Sequence, residues 1–354
     1  MKIFNNLMRL YYLSSIKSVQ LKKHFSTKND YTSSFINLDK ITPHKEINKM
    51  LTSFVQGTEH IFSENLVGIY LSGSLAYGYF NVNKSDVDLV TVLRKPAIAR
   101  DIKQVKLLYK EIENDYSIWA GRLESSHVPI DMLYSVLPPK IPRPYYNNRT
   151  FYEKAPYGNE WIIDKYLLYE YGVPLIGKQF REITTPVDVL EVQKACIRDL
   201  FEEWVPKTTN LELLNDSHYQ SYMVLNLCRI LYTIMQHPTG SKIVAASWIK
   251  NEFGQQWRDL IETAEQWQYG KEMVLHKEVI AFTKFVVKQT VSKHTSIDLI
   301  SLPSNTLKKI LTDIQLQDTI KISKLLEDSS NDANSYEKLE VPIIGHDPDN
   351  DNSS

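Results

Sequence analysis

Hydrophobic and polar positions along this chain follow two periods. In the first half, short runs with a period of two alternate with helical runs; from Pro186 onward only the helical period recurs. Val67, Ile69 and Leu71 alternate as a strand entering a core does. Val87 to Leu93 repeats that pattern, and Val128 to Val136 predicts a third strand, with Pro129 near its start, where proline is tolerated. Helices are predicted at 42–64, with Ile47, Met50, Leu51, Phe54, Val55 and Ile61 at helical spacing, and at 97–116. The four prolines at the start of residues 137–160 forbid regular helix there. A loop of that length after a carboxylate-bearing strand predicts a functional segment. A helix over 161–171 and the run Gly172 to Gly177 close this region. Beyond it, helices are expected at 187–204, 216–236, 241–253, 256–268, 271–292 and 305–325, which together make a bundle.

The pattern divides the chain into a basic extension (1–40), an α/β domain (41–180), a helical bundle (186–326) and an acidic tail (327–354) expected to be disordered. The 354 residues suffice for two domains. The extension carries six Lys/Arg and no acid before Asp30, has Phe4, Leu7, Leu10, Tyr11 and Leu13 at amphipathic spacing, and has the composition of a mitochondrial transit peptide; a basic tail with no address is the alternative. The expected location is therefore the cytoplasm or the mitochondrial matrix.

Charge adds an exclusion. Lys+Arg and Asp+Glu number 41 and 42, so no global basic field draws in nucleic acid. No apolar run is long enough to span a bilayer. Cys196 and Cys228 form no CxxC or Cys/His pattern, so no zinc site is expected; a reduced compartment is a simpler reading of the two than a disulfide. The expected oligomeric state is a monomer.

The candidate chemistry lies between residues 67 and 93. Gly73-Ser74 breaks the first strand, in a turn where backbone N–H groups and the Ser74 hydroxyl can approach phosphate. It is neither a dinucleotide fingerprint nor a Walker loop. Asp86 and Asp88 stand two apart on the next strand, so both point one way while Val87 and Leu89 point the other. Asp347, Asp349 and Asp351 share that spacing in the tail, where no strand gives it meaning. Paired carboxylates on an apolar strand repel and lose hydration unless a cation compensates. Mg²⁺ is the usual partner of carboxylate plus phosphate oxygens. Asp131, on the third expected strand, would complete a triad as metal ligand or general base. Together these point to transfer of phosphoryl or nucleotidyl groups.

GSLAYGYFNVNKSDVDLVTVL, from Gly73, resembles the nucleotidyltransferase superfamily with the DNA polymerase beta-like fold, and within it the streptomycin/spectinomycin adenylyltransferases. MVLNLCRILYTIMQHPTGSKIVAASW, residues 223–248, resembles the helical-domain signature of that branch. The resemblance covers about residues 50–290. It implies a mixed sheet flanked by helices followed by an all-α bundle. It implies ATP as co-substrate, with Gly73 and Ser74 at the terminal phosphates, Mg²⁺ on Asp86 and Asp88, and Asp131 at the catalytic base, a glutamate in well-known members. Arg229 and Lys242 would reach the triphosphate. Lysine at a helix start is electrostatically unfavourable unless an anion is near, which agrees with that role. Trp161, in YGNEW, is similar to an FGEW segment of the family and would stack on the acceptor.

One departure concerns the acceptor. Streptomycin-acting members carry an acid ten positions before the family arginine; here that position is Tyr219, with Asp216 out of register. The implied reaction is transfer of AMP from ATP to a hydroxyl of a small acceptor, an aminoglycoside-type antibiotic such as spectinomycin or streptomycin, with release of pyrophosphate. The alternatives are a protein or nucleic-acid acceptor, or a nucleotide-binding module without turnover. Nucleic acid is disfavoured because its phosphates need several Lys/Arg contacts.

Overall fold

The computed structural model describes residues 37–236 and 240–293. The expectations for the basic extension (apart from its last residues), for a helix at 305–325 and for the tail lie outside the described residues. Within them, a mixed sheet flanked by helices is followed by an all-α region.

The sheet has six strands in the order β5-β4-β3-β2-β1-β6: β1 (Leu66–Leu71), β2 (Val87–Leu93), β3 (Leu123–Pro129), β4 (Arg143–Asn147), β5 (Thr150–Ala155) and β6 (Val173–Ile176). Only β2 and β3 pair in parallel. Parallel neighbours need a crossover, supplied by the helix Ala99–Asp115. We number the main helices α1 (Lys45–Phe62), α2 (Gly73–Tyr77), α3 (Ala99–Asp115), α4 (Glu160–Tyr171), α5 (Val189–Asp199), α6 (Ser217–Gln236), α7 (Lys242–Glu252), α8 (Arg258–Gln266) and α9 (His276–Lys293).

Strand alternation sorts the two faces. Ile69, Leu71, Val87, Leu89 and Leu93 pack beneath α1 and α3, against Ile47, Leu51, Phe54, Val105 and Leu108. Tyr70, Val92 and Val128 face the other way and join Ile162 and Leu167 of α4, then Val192 and Cys196 of α5 and Leu227 and Leu231 of α6. The second core therefore runs unbroken from the sheet into the helices. Because side chains of period two share a face, Asp86 and Asp88 point toward the helical region with Val90 and Val92.

Three expectations are corrected. The third strand lies at 123–129 rather than 128–136, and Ile130–Tyr134 is a 3-10 turn. Residues 137–160 are not irregular throughout, since they contain the β4–β5 hairpin. Pro144 sits where the β4–β5 register shifts, so its missing N–H interrupts no regular ladder. The helix expected over 187–204 is α5 followed by a π-helical turn, Leu200–Trp204.

Candidate active site

Gly73 opens α2 directly above β2. Its φ is +59°, and a Cβ there would lie 1.6 Å from Asp88 Oδ2. Only glycine allows both the left-handed backbone and the close approach. Ser72 N–H donates to the Asp88 carbonyl oxygen at 2.8 Å, which fixes the turn against the strand. Ser74 follows within α2, half-buried.

Parallel pairing sets Asp88 opposite Glu124. Glu124 shares its face with Ser126 and Val128, the face of Asp86 and Asp88. The third carboxylate of the cluster is thus Glu124. The Tyr145 hydroxyl, on β4, donates to Glu124 Oε1 at 2.7 Å, and Asn147 Nδ2 donates to that hydroxyl oxygen at 3.2 Å.

Asp131 is not brought to this group. It is exposed on the 3-10 turn past the far end of β3. The rest of β3 and the start of that turn separate it from Glu124. Trp161 is 7 % exposed, its Nε1 donates to Ser135 O at 3.2 Å, and Tyr157 packs edge-on at 4.9 Å. Its ring packs in the core and lines a small cavity with Arg143, Glu160 and Asp164.

Two cations come from the helices. Lys242 is the first residue of α7, and its Nζ lies 4.0 Å from the Tyr222 ring centroid. Arg229 lies midway along α6 and donates from Nη2 to Asn226 Oδ1 at 2.7 Å.

The electrostatics follow from crowding like charges in a poorly hydrated cleft. Burial, then Glu124, push Asp86 up to about 6, against Arg122 and Lys242. Burial, then Glu124 and Asp86, hold Asp88 well above the carboxylate range. Burial raises Glu124 too, with the Tyr145 hydrogen bond, Arg143 and Lys242 opposing. Asp164 of α4, which lines a small cavity with Glu160 and Arg143, is pushed up to about 7 by loss of hydration and by Glu160, with Arg229 opposing. Lys242 is pushed down to about 7 by burial and by Arg229, while Asp86, Asp88 and Glu124 pull it up. Among the described residues no ion pair reaches Asp86 or Asp88.

Among the described residues, no group of three or more His, Cys, Asp or Glu side chains is set to enclose a metal ion unaided. Mg²⁺ seldom uses such a cage: it takes one or two carboxylates together with substrate phosphates and water. Asp86 and Asp88 fit that mode. They share a face, they lack ion-pair partners, and a divalent cation is the charge that would bring their raised proton affinities down.

Tyr219, where streptomycin-acting members carry an acid, packs on Trp204, with Lys207 Nζ 5.9 Å from its ring centroid. Asp216 Oδ1 accepts the Tyr219 N–H at 2.7 Å, which is a helix-capping contact at the start of α6.

Comparison with known proteins adds two findings. Residues 192–289 match the family model described as the aminoglycoside adenylyltransferase C-terminal domain. The fold is similar to that of a spectinomycin adenyltransferase from Enterococcus faecialis, solved with ATP and spectinomycin. The TM-score is 0.55 at 16% identity, over 68% of this chain and 98% of that one. At that identity the likeness establishes the fold. No curated protein matches the sequence. The chain is thus distantly similar to the aminoglycoside adenylyltransferase-like nucleotidyltransferases.

Proposed function

We propose that this chain transfers AMP from ATP, with Mg²⁺, to a hydroxyl of a small acceptor and releases pyrophosphate. The acceptor is of the aminoglycoside type, and spectinomycin is favoured over streptomycin. The observation that carries the reading is the register of β2 and β3: it sets Asp88 beside Glu124, with Asp86 next in line, under the Gly73 turn. The sheet domain (41–180) supplies these carboxylates, and the helical domain (186–326) supplies Arg229 and Lys242.

Asp86 and Asp88 would hold the Mg²⁺, and Gly73 and Ser74 would meet the terminal phosphates. When bound, the ion neutralises charge on the triphosphate and on the departing pyrophosphate. Lys242 and Arg229 bind the same charge from the opposite wall. Lys242 gains its proton fully when a triphosphate sits beside it. Glu124 is the base: Tyr145 holds Oε1, which leaves Oε2 free to take the acceptor proton. The acceptor oxygen bonds to the α-phosphorus as the bond from that phosphorus to pyrophosphate breaks. The protein contributes positioning and electrostatics, as such transfers require.

Spectinomycin is favoured because Tyr219 has the Lys207 ammonium near its ring, which repels rather than attracts a guanidinium. The test is pyrophosphate release from ATP and Mg²⁺ across spectinomycin, streptomycin and further aminoglycosides. Release that requires both Mg²⁺ and an acceptor supports the reading. ATP binding with turnover of no panel member overturns the acceptor, and absence of ATP binding overturns the whole assignment.

A further inference from the structure

The loop between α2 and β2 is folded on itself. Lys84 and Ser85 N–H groups donate to Asn81 O at 3.1 and 2.8 Å. Asn81 N–H donates to Ser85 Oγ at 2.9 Å, and Asn83 N–H to Asn81 Oδ1 at 2.9 Å. A turn bonded internally at four points moves as one piece, and Asp86 follows directly on it.

Two cations tie this piece to its surroundings, one from outside it and one from within. Arg122, just before β3, donates from Nη1 to Val82 O at 2.8 Å and from Nε to Ser85 O at 3.2 Å, with Nη2 also on Ser85 O. Its guanidinium lies 4.6 Å from the Trp119 ring centroid. The second cation is Lys84, whose Nζ donates to the backbone oxygen of Glu265, 181 positions later in the chain. Glu265 lies in the last turn of α8, where carbonyls lack helical partners and a positive charge is favoured. The Glu265 carboxylate is held by Lys250 of α7 at 2.6 Å. Lys242 begins that same helix. A continuous set of contacts therefore runs from the Asp86 loop through Lys84, Glu265 and Lys250 to the helix that carries Lys242.

We propose that Lys84 is a positioning residue that bridges the sheet and the helices and sets the separation between the Asp86/Asp88 carboxylates and Lys242. The proposal rests on the reading of this cleft as a Mg–ATP site. Lys84 need not touch the nucleotide, since it acts by holding the two halves of the nucleotide's surroundings together. The geometry identifies it because one hydrogen bond joins a self-contained loop to the helix paired with α7.

The test is calorimetric titration of the full chain with Mg–ATP, for wild type, Lys84→Met, Lys84→Arg and the charge-matched control Lys49→Met. Lys49 is exposed and pairs with Glu46 on α1. Losing a hydrogen bond from a charged donor weakens binding about tenfold. That loss is expected for Lys84→Met, with most of it restored in Lys84→Arg and none in Lys49→Met. Amide hydrogen exchange of the unliganded protein is expected to quicken at residues 79–88 and 258–266 in Lys84→Met. Binding by Lys84→Met within twofold of wild type, equal loss in Lys49→Met, failure of Lys84→Arg to restore, or unchanged exchange each overturns the proposal. If Lys84→Met does not fold, Lys84→Gln is read in its place, and failure of both to fold also overturns it. A wild type that binds no Mg–ATP refutes the site assignment instead, and it is read before any variant.

Discussion

The carboxylate of Asp88 occupies the space that a side chain at position 73 would need. A Cβ on Gly73 would stand 1.6 Å from Oδ2, and the backbone there has φ +59°. The phosphate-facing turn and the metal-facing strand are thus one packing unit, and neither moves without the other. Gly73→Ala is expected to push the Asp88 side chain out of place and to strain the turn by about 1–2 kcal/mol. Mg–ATP binding, followed by calorimetry, should be lost. The melting temperature should fall by only a few degrees, because α2 is short and only borders the two cores, through Leu75, Ala76 and Tyr77.

Glu124 and Asp131 make opposite predictions about the base. Removing a general base lowers turnover about 10²–10⁴-fold. Glu124→Gln should therefore lose pyrophosphate release by that factor while still binding Mg–ATP, since the Tyr145 hydroxyl can donate to the amide oxygen. Asp131→Asn, at an exposed turn beyond the far end of β3, should leave kcat and KM within about twofold of wild type, as for surface changes remote from a site. The reverse result would return the base to Asp131 and refute the role of Glu124.

These two residues also show where the sequence was legible. Asp86 and Asp88 could be read because Val87 and Leu89 alternate with them, and that alternation gives the face directly. The strand carrying Glu124 reads Leu-Glu-Ser-Ser-His-Val-Pro. Its core-facing positions include Ser125 and His127, both buried. A polar residue in an apolar position erases the period on which a strand assignment depends. The apparent strand therefore slid toward Val128, Ile130 and Leu133, and it took the carboxylate assignment to Asp131. The β4–β5 hairpin was hidden for another reason: its turn residues are Asn148 and Arg149, without the glycine that marks such turns. Arg229 and Lys242 were singled out only through resemblance, since a helical period alone does not distinguish a buried cation from a solvated one. The burial of Trp161 was not legible either, because a tryptophan near a loop looks the same in sequence whether it is exposed or buried.

That hairpin gives a stability prediction. Asn148 and Arg149 both have positive φ, +46° and +62°, as a type I′ turn requires. Asparagine tolerates this and arginine does so poorly. Arg149 gains a contact with Glu113 at 3.7 Å, but its side chain is 69% exposed. A pair so exposed contributes about 0–1 kcal/mol. Arg149→Gly should therefore stabilise the protein by about 0.5–1 kcal/mol, seen as a higher denaturant midpoint with unchanged slope. A lower midpoint would show that the Glu113 contact outweighs the strain.

Asp199 sets a pH dependence whose sign can be worked out. It ends α5, is 8% exposed, and accepts a hydrogen bond from Trp204 Nε1 at 2.7 Å. Burial raises its proton affinity to about 7 despite that bond, with Glu160 and Glu203 adding to the shift. The unfolded chain holds this group near the ordinary carboxylate value of about 3.9. Between those two values the folded state binds more protons than the unfolded state, so stability falls as pH rises. Wild type should therefore unfold at lower denaturant at pH 8 than at pH 5. Asp199→Asn keeps an oxygen acceptor for Trp204 and removes the buried charge. It should stabilise the protein at pH 8 by on the order of 4 kcal/mol, by a smaller amount at pH 5, and flatten the curve between them. Parallel curves for wild type and variant would show that Asp199 ionises in the folded protein as readily as in the unfolded chain.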